Sequence, residues 1–450
     1  MVNVIKLRKG LDINLKGAAD LKKVSVAPVS HYALLPSGFV GVIPKVTVKV
    51  GDKVQAGEPL FVNKAYPEVR FASPVSGTVT AVVRGERRKV LAVEVEADAE
   101  QTSHDYGRKD PSSLDADGVK NALLEAGLFG FIDQLPYAVS TTPNTKPKSI
   151  FVSALRDKPL AADFEFELKG NEQDFQTGLT ALSRIATVYL GIGPAQTSTA
   201  LTEAKDAEVT AFDGPCPAGN VGVQVNHLDP VNKGEVVWTV DPSVVIFIGR
   251  LFNTGRVDLT RTIAIAGSEM KSPAYADVKV GANIGEVLGN GVKSDRDVRL
   301  LDGNPLTGRK VSKADYLSAH TSEITAIPEG DDVNEFAGWI MPRLKEFSTS
   351  RSYFSWLFGK KKQYDLDARI KGGERHMIMS GEYDKVLPMD IYGEYLIKAL
   401  ITGDIDKQEQ LGIYEVSPED FALPEFVDSS KLPLQQIVRK GLDVLRKENA

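Results

Sequence analysis

Residues 51–62, GDKVQAGEPLFV, and residues 76–95, SGTVTAVVRGERRKVLAVEV, decide how the amino-terminal part of this chain is built. Just before the first, Val46, Val48 and Val50 alternate with Thr47 and Lys49; inside the second, Val93 and Val95 alternate with Ala92 and Glu94. A period of two marks strands with one buried face. Gly51-Asp52, Ala56-Gly57-Glu58-Pro59, Ser73-Pro74 and Ser76-Gly77 punctuate the strands with residues that supply positive or fixed φ for tight reversals. The pattern predicts a small all-β module of two similar hairpin halves.

Those halves resemble the paired hairpins of a biotinyl/lipoyl-like barrel-sandwich domain, here assigned to residues 1–100. In such a carrier the modified lysine sits on the exposed hairpin between the halves, which makes Lys64 of Asn63-Lys64-Ala65 the candidate. Pro67 and a longer turn before Ser73-Pro74 favour a solvated lysine on a scaffold module instead.

Working outward, residues 99–113 (AEQTSHDYGRKDPSS) are polar and turn-rich, as a connection should be. Residues 115–128 then read as a helix with Gly127 at its stop, followed by strand 149–155, helix 172–185, strand 186–192, short helix 198–204 and strand 208–212. That alternation predicts a Rossmann-like α/β domain with an open parallel sheet over 101–257. Residues 238–252 read as a strand followed by a second strand or a short helix, divided by Asp241-Pro242. Strands 260–267 and 275–280 and helix 284–288 resemble a β-grasp, soluble-ligand-binding (SLBB-like) domain over 258–330. Helical periodicity at 393–401 and 434–447 predicts a helical carboxy-terminal domain over 331–450. The fold class is therefore multidomain, α+β and α/β.

Composition bounds the function. At about 150 residues per domain, a chain of 450 residues is expected to hold roughly three domains. Fifty-four Lys and Arg against 60 Asp and Glu give a formal charge of −6, which offers no overall attraction to nucleic acid. Cys216 is the single cysteine, so no intrachain disulfide and no iron-sulfur cluster held by four cysteines of this chain can form. The opening MVNVIKLRKGLDINLKG lacks the apolar core of a secretory signal, and the most apolar run, 244–252, is interrupted by Arg250. A chain that crosses no bilayer and works in the cytoplasm is expected.

The five histidines, His31, His104, His227, His320 and His376, show no metal-ligand spacing, and no nucleophile has a base in reach of a recognisable motif. No catalytic residue and no metal site is assigned. Residues 214–222, GPCPAGNVG, follow a strand and bring backbone near a ligand or an interface, but they lack the Lys and Ser/Thr of a phosphate loop. Their two prolines also remove amide donors. Residues 351–362, RSYFSWLFGKKK, suit either a packed aromatic helix with a solvated tail or contact with a membrane interface or partner.

Several segments taken together resemble the A subunits of the sodium-translocating NADH:quinone oxidoreductases: 63–88, EAGLFGFIDQLPY (125–137), SIFVSALRDKPLAAD (149–163), GPCPAGNVGVQVNHLDPV (214–231), IGRLFNTGRVD (248–258) and 381–423. The resemblance implies a peripheral subunit on the cytoplasmic face of a bacterial inner membrane, held there by partner subunits B to F. Those partners carry the FAD, FMN, riboflavin and iron-sulfur centre of a complex that reduces ubiquinone and exports sodium. It also implies kinship with the Rnf complex C subunit and with the flavin-carrying subunit of respiratory complex I. Those relatives have a glycine-rich flavin loop where this chain has Phe129, Phe131, Ile132, Asp133 and Gln134, and cysteine runs where this chain has none beyond Cys216.

The expectation is a chain without redox cofactors that helps assemble or cover the quinone-reducing part. Ubiquinone is its candidate ligand, with Phe129, Phe131, Tyr137, Gly214, Pro217 and Gly219 as candidate contacts. In the resembling family the 214–222 loop has histidine where this chain has Cys216. The alternative is a stand-alone carrier or soluble-ligand-binding protein using the lipoyl-like and β-grasp modules.

Overall fold

The computed structural model describes residues 2–331, 342–349, 351, 353–359 and 362–449. The quoted hairpins form two facing sheets, one of His31–Leu34, Val90–Ala97, Gly77–Arg84 and Lys53–Val54, the other of Pro44–Val46, Pro59–Asn63 and Arg70–Ala72. Their inner faces meet around Phe39, Phe61 and Phe71, the last two stacked with centroids 4.7 Å apart. Lys64 is exposed on the turn after Asn63.

A seven-stranded sheet lies at the centre, in the order Asn3–Lys6, Glu208–Asp213, Thr187–Ile192, Ser149–Ser153, Val237–Thr239, Asp133–Leu135 and Val139–Ser140. The first five strands are parallel, and Asp133–Leu135 runs antiparallel to both of its neighbours. A six-stranded sheet of Arg309–Val311, Val298–Asp302, Glu323–Pro328, Thr260–Ala266, Ala274–Lys279 and Asp20–Lys23 packs alongside, with the short helix Ile284–Leu288. Residues 3–6 and 20–23 thus serve as edge strands of these two sheets, outside the barrel-sandwich.

The segment after Asp241 is a thirteen-residue helix, Pro242–Thr254, longer than the strand or short helix its β-branched run suggested. Its ends explain this. Asp241 caps the first turn by accepting the Ser243 N–H, Pro242 takes a first-turn position where no amide is needed, and Gly255 at φ +75 ends the helix left-handed. The apolar residues are buried because a second helix, Glu172–Ser183, crosses it in close contact. Gly178 faces the Val245 carbonyl and Gly249 the Asp174 carbonyl, and a Cβ at either glycine would collide with that backbone.

Towards the carboxy terminus, helices Gly393–Thr402, Ile405–Gln410, Ala422–Val427 and Leu434–Glu448 gather around Tyr383, Leu396, Phe421 and the stripe Leu434, Val438, Leu442 and Leu445. This cluster continues onto Leu7, Phe212 and Val223, so the helical region is seated on the edge of the central sheet. Among the described residues no helix is long and apolar enough to cross a membrane. Phe354–Phe358 is a short 3-10 helix, while Ser352, Lys360 and Lys361 of the 351–362 segment lie outside the described residues.

Candidate functional site

Successive strands step from Ser149–Ser153 to Thr187–Ile192 to Glu208–Asp213, and then Val237–Thr239 returns to the other side of Ser149–Ser153. Where strand order reverses, the loops leaving the carboxyl ends of the two neighbouring strands part and leave a crevice, the usual ligand site of open α/β sheets. A cavity of about 360 Å³ lies there. Ser153, Leu155, Arg156 and Lys158 line it from one loop and Thr239, Val240 and Asp241 from the other, with Asp133 from the adjoining antiparallel strand. The six-stranded domain closes it with Asp302, Asn304, His320 and Glu323, and the helical region contributes Glu419.

The charges inside are mostly tied to one another. Arg156 donates to Glu167 at 2.8 Å and to the Ser243 hydroxyl at 3.1 Å, and lies 3.4 Å from Asp241. Arg261, on Thr260–Ala266, approaches Asp241 at 3.2 Å and donates to the same hydroxyl at 2.8 Å. Burial alone would raise the Asp241 pKa, but the two guanidiniums hold it down to about 2. Lys158 pairs with Glu419. Glu323 accepts the Ala162 N–H at 3.1 Å and the Asn304 amide at 3.3 Å.

Asp133 is the exception. Burial raises its carboxyl pKa, and the nearby charges of Asp241 and Glu419 push the same way against His320 and Arg439. His320, its ring edge-on to Phe39 and Phe131, has a buried Nε2 without a protein partner. Five lining carboxylates, Asp133, Asp241, Asp302, Glu323 and Glu419, stand against Arg156 and Lys158, which makes the crevice hostile to a phosphate group. Among the described residues no group of three or more His, Cys, Asp or Glu side chains is gathered for a metal ion.

The six candidate contacts do not come together. Phe129 and Phe131 are fully buried, Phe129 against Trp238 at 5.6 Å and Phe131 against Phe39 at 5.0 Å, and neither lines the crevice. Tyr137 is half-buried at the helical region, its carbonyl accepting from Arg439 at 2.7 Å. Gly214 packs on Leu7, and Pro217 is buried after a cis Cys216–Pro217 bond. Only Gly219 of the six lines the crevice, where a Cβ would strike the Leu155 carbonyl.

Cys216 is buried beside the crevice, its N–H donating to Asp12 at 3.0 Å. Burial and then the charge of Asp157 push its thiol pKa far up against the opposing charge of Lys158, and the thiolate is disfavoured.

Two signals in the sequence could have found the crevice. Arg156-Asp157-Lys158 places charges directly after a buried strand, and Asp241-Pro242 has the form of a helix cap at the end of another. His320 and Glu323 carried none, because they reach the site from a different domain.

Fold and crevice define a chain assembled from barrel-sandwich, α/β and SLBB-type domains, with a charged cleft at the switch point of the parallel sheet. Residues 5–98 match the family model described as the NqrA N-terminal barrel-sandwich hybrid domain, residues 114–257 the NqrA second alpha/beta domain, and residues 262–313 the NQRA C-terminal domain. The chain is 34% identical over 99% of its length to the A subunit of the Na(+)-translocating NADH-quinone reductase of Haemophilus influenzae (strain PittGG), covering 100% of that protein. It is 33% identical to the proteins of the same name from Pasteurella multocida (strain Pm70) and Rhodopirellula baltica, over 99% of this chain in both cases and 100% and 99% of those proteins. The chain belongs to the NqrA family, the A subunits of the Na+-translocating NADH-quinone reductases. A solved NAD+-reducing [NiFe]-hydrogenase, in the H2-reduced state, aligns with a TM-score of 0.36 and 11% identity over 49% of this chain and 48% of that one.

Proposed function

We propose that this chain is a peripheral subunit, on the cytoplasmic face of a bacterial inner membrane, of a complex that oxidises NADH, reduces ubiquinone and exports sodium. In this reading it carries no redox cofactor. Electron transfer through FAD, FMN, riboflavin and iron-sulfur belongs to partner subunits among B to F, and this chain assembles with them and covers the quinone-reducing part. Full-length similarity to proteins named as the A subunit of such reductases supports the assembly role.

The observation that carries the cofactor-free reading is the charge inside the switch-point crevice. Its cations are committed to Glu167, Asp241 and Glu419, and its remaining carboxylates oppose the phosphate of a flavin nucleotide or the pyrophosphate of NADH. A quinone that enters this crevice would meet Gly219 in its lining rather than the rings of Phe129 and Phe131.

The test is an absorbance spectrum of the purified chain, followed by titration with a ubiquinone analogue read through Trp238, Trp339 and Trp356, and co-purification from native membranes. A colourless chain that co-purifies with subunits B to F supports the reading, and quenching by the analogue adds direct quinone contact. A flavin spectrum, or a chain that never accompanies the membrane subunits, refutes it.

A further inference from the structure

Residues 342–362 carry six Lys or Arg against one acidic residue, Glu346, in a chain whose formal charge is −6. Within that basic stretch Phe354, Trp356, Leu357 and Phe358 stand 57%, 43%, 63% and 58% exposed. They occupy one five-residue 3-10 helix, Phe354–Phe358, whose other member, Ser355, turns inward and is buried. Four large apolar side chains displayed on a single turn form an exposed patch that asks for a partner.

The cations share this face. The Arg351 guanidinium lies 5.4 Å from the Trp356 ring centroid and the Lys362 ammonium 4.4 Å from that of Phe358. Leu344, whose carbonyl accepts from the Lys362 ammonium, is exposed, as is Lys345 next to it in the chain. The Gly359 N–H closes the turn onto the Trp356 carbonyl at 3.2 Å, which spares one amide from facing an apolar medium bare.

We propose that Phe354–Phe358 is a lipid-contact loop that enters the headgroup region of an anionic bilayer, with Lys345, Arg351 and Lys362 on the lipid phosphates. The cores of protein–protein interfaces are depleted of lysine and of charge generally. Aromatic and leucine side chains ringed by Lys and Arg are instead the composition of segments that lie in a membrane interface. The excess positive charge of this stretch complements anionic lipid and contrasts with the acidic remainder of the chain. With only one short turn involved, the contact is superficial, and it adds a direct attachment to whatever partner subunits supply.

Flotation of the full chain with vesicles tests this, comparing pure phosphatidylcholine with phosphatidylcholine and phosphatidylglycerol in equal amounts. The chain should partition to the anionic vesicles and leave the neutral ones. Neutralising each of Lys345, Arg351 and Lys362 should weaken binding about fivefold. Leu357→Ser with Phe358→Ser should weaken it at least about tenfold while the melting temperature stays unchanged, since both side chains are exposed. Trp356 emission should shift to the blue on the anionic vesicles, and Trp356→Phe should lose that shift but keep the binding. Failure to bind anionic vesicles overturns the proposal, as does binding that the double serine variant leaves intact. If the chain ignores lipid while that variant no longer accompanies the membrane complex, the face belongs to a protein partner and the proposal falls.

Discussion

Lys158 and Glu419, 261 positions apart, form an ion pair that ties the helical region to the loop after Ser149–Ser153 in the lining of the crevice. Burial alone would lower the Lys158 pKa, but the charge and hydrogen bond of Glu419, with Asp157, raise it above that of an ordinary lysine. Glu419→Gln would leave a nearly buried ammonium with only the weaker influence of Asp157. The expected loss is about 1–3 kcal/mol, less than for a fully buried pair because Glu419 is 40% exposed. Replacing both partners, Lys158→Met with Glu419→Leu, should be nearly neutral. Urea midpoints decide it, and an unchanged midpoint in Glu419→Gln would show that the pair holds nothing together.

Asp241 makes stability depend on acid. Its folded pKa of about 2 lies below the ordinary 3.8, so the unfolded chain binds the proton more readily. The stabilisation is complete above 3.8 and is lost as pH falls through about 2, amounting to about 2 kcal/mol at neutral pH. Asp241→Asn should lower stability at neutral pH and flatten this part of the acid limb. Denaturant unfolding at a series of pH values measures it, and an acid limb identical to that of the unaltered chain would contradict the assignment.

The crossing of helices Glu172–Ser183 and Pro242–Thr254 depends on two absent side chains. Because a Cβ at Gly249 would collide with the Asp174 carbonyl, Gly249→Ala must drive the helices apart. A loss of about 3 kcal/mol or more is expected, at the upper end for overpacking because the obstacle is backbone. Gly170→Ala, a position with open space around it but φ +85, should cost only about 1 kcal/mol. Thermal melts of the two variants should separate clearly.

Cys216 should resist alkylation. Its thiol is buried and its thiolate is disfavoured by Asp157, so iodoacetamide at neutral pH should leave the native chain unlabelled and label it once unfolded in urea. Labelling at native conditions as fast as that of a free thiol would mean the loop opens.

Local pattern revealed the modules, and distant contact decided the site. The hairpins of the barrel-sandwich announced themselves through period-two valines and turn residues, and the βα alternation through short apolar runs, because in both cases the signal lies within a dozen residues. The Pro242–Thr254 helix was harder to read. Its β-branched run, Val244, Val245 and Ile246, also suits a strand, and what makes it a helix is Asp241 and Gly255 at its ends together with the neighbouring helix. Phe129 and Phe131 are candidate contacts because their rings could flank a quinone headgroup, although aromatics after a helix are more often core. Their burial is settled by Phe39 and Trp238, far away in sequence. Asp133, two residues on from Phe131, is the member of that segment that faces the crevice.

The edge strands near the amino terminus have a consequence for how the chain is made. Asn3 pairs with Thr210, and Ala274 with Asp20. During synthesis at about 5–20 residues per second, the first strand waits roughly 10–40 s for its neighbour to emerge from the ribosome. Until then the segment trails unpaired, and the two larger sheets gain their edge strands only when it is laid back onto both. A segment made well before its partners is thus among the last to find its place, a strap laid over domains that were completed long after it.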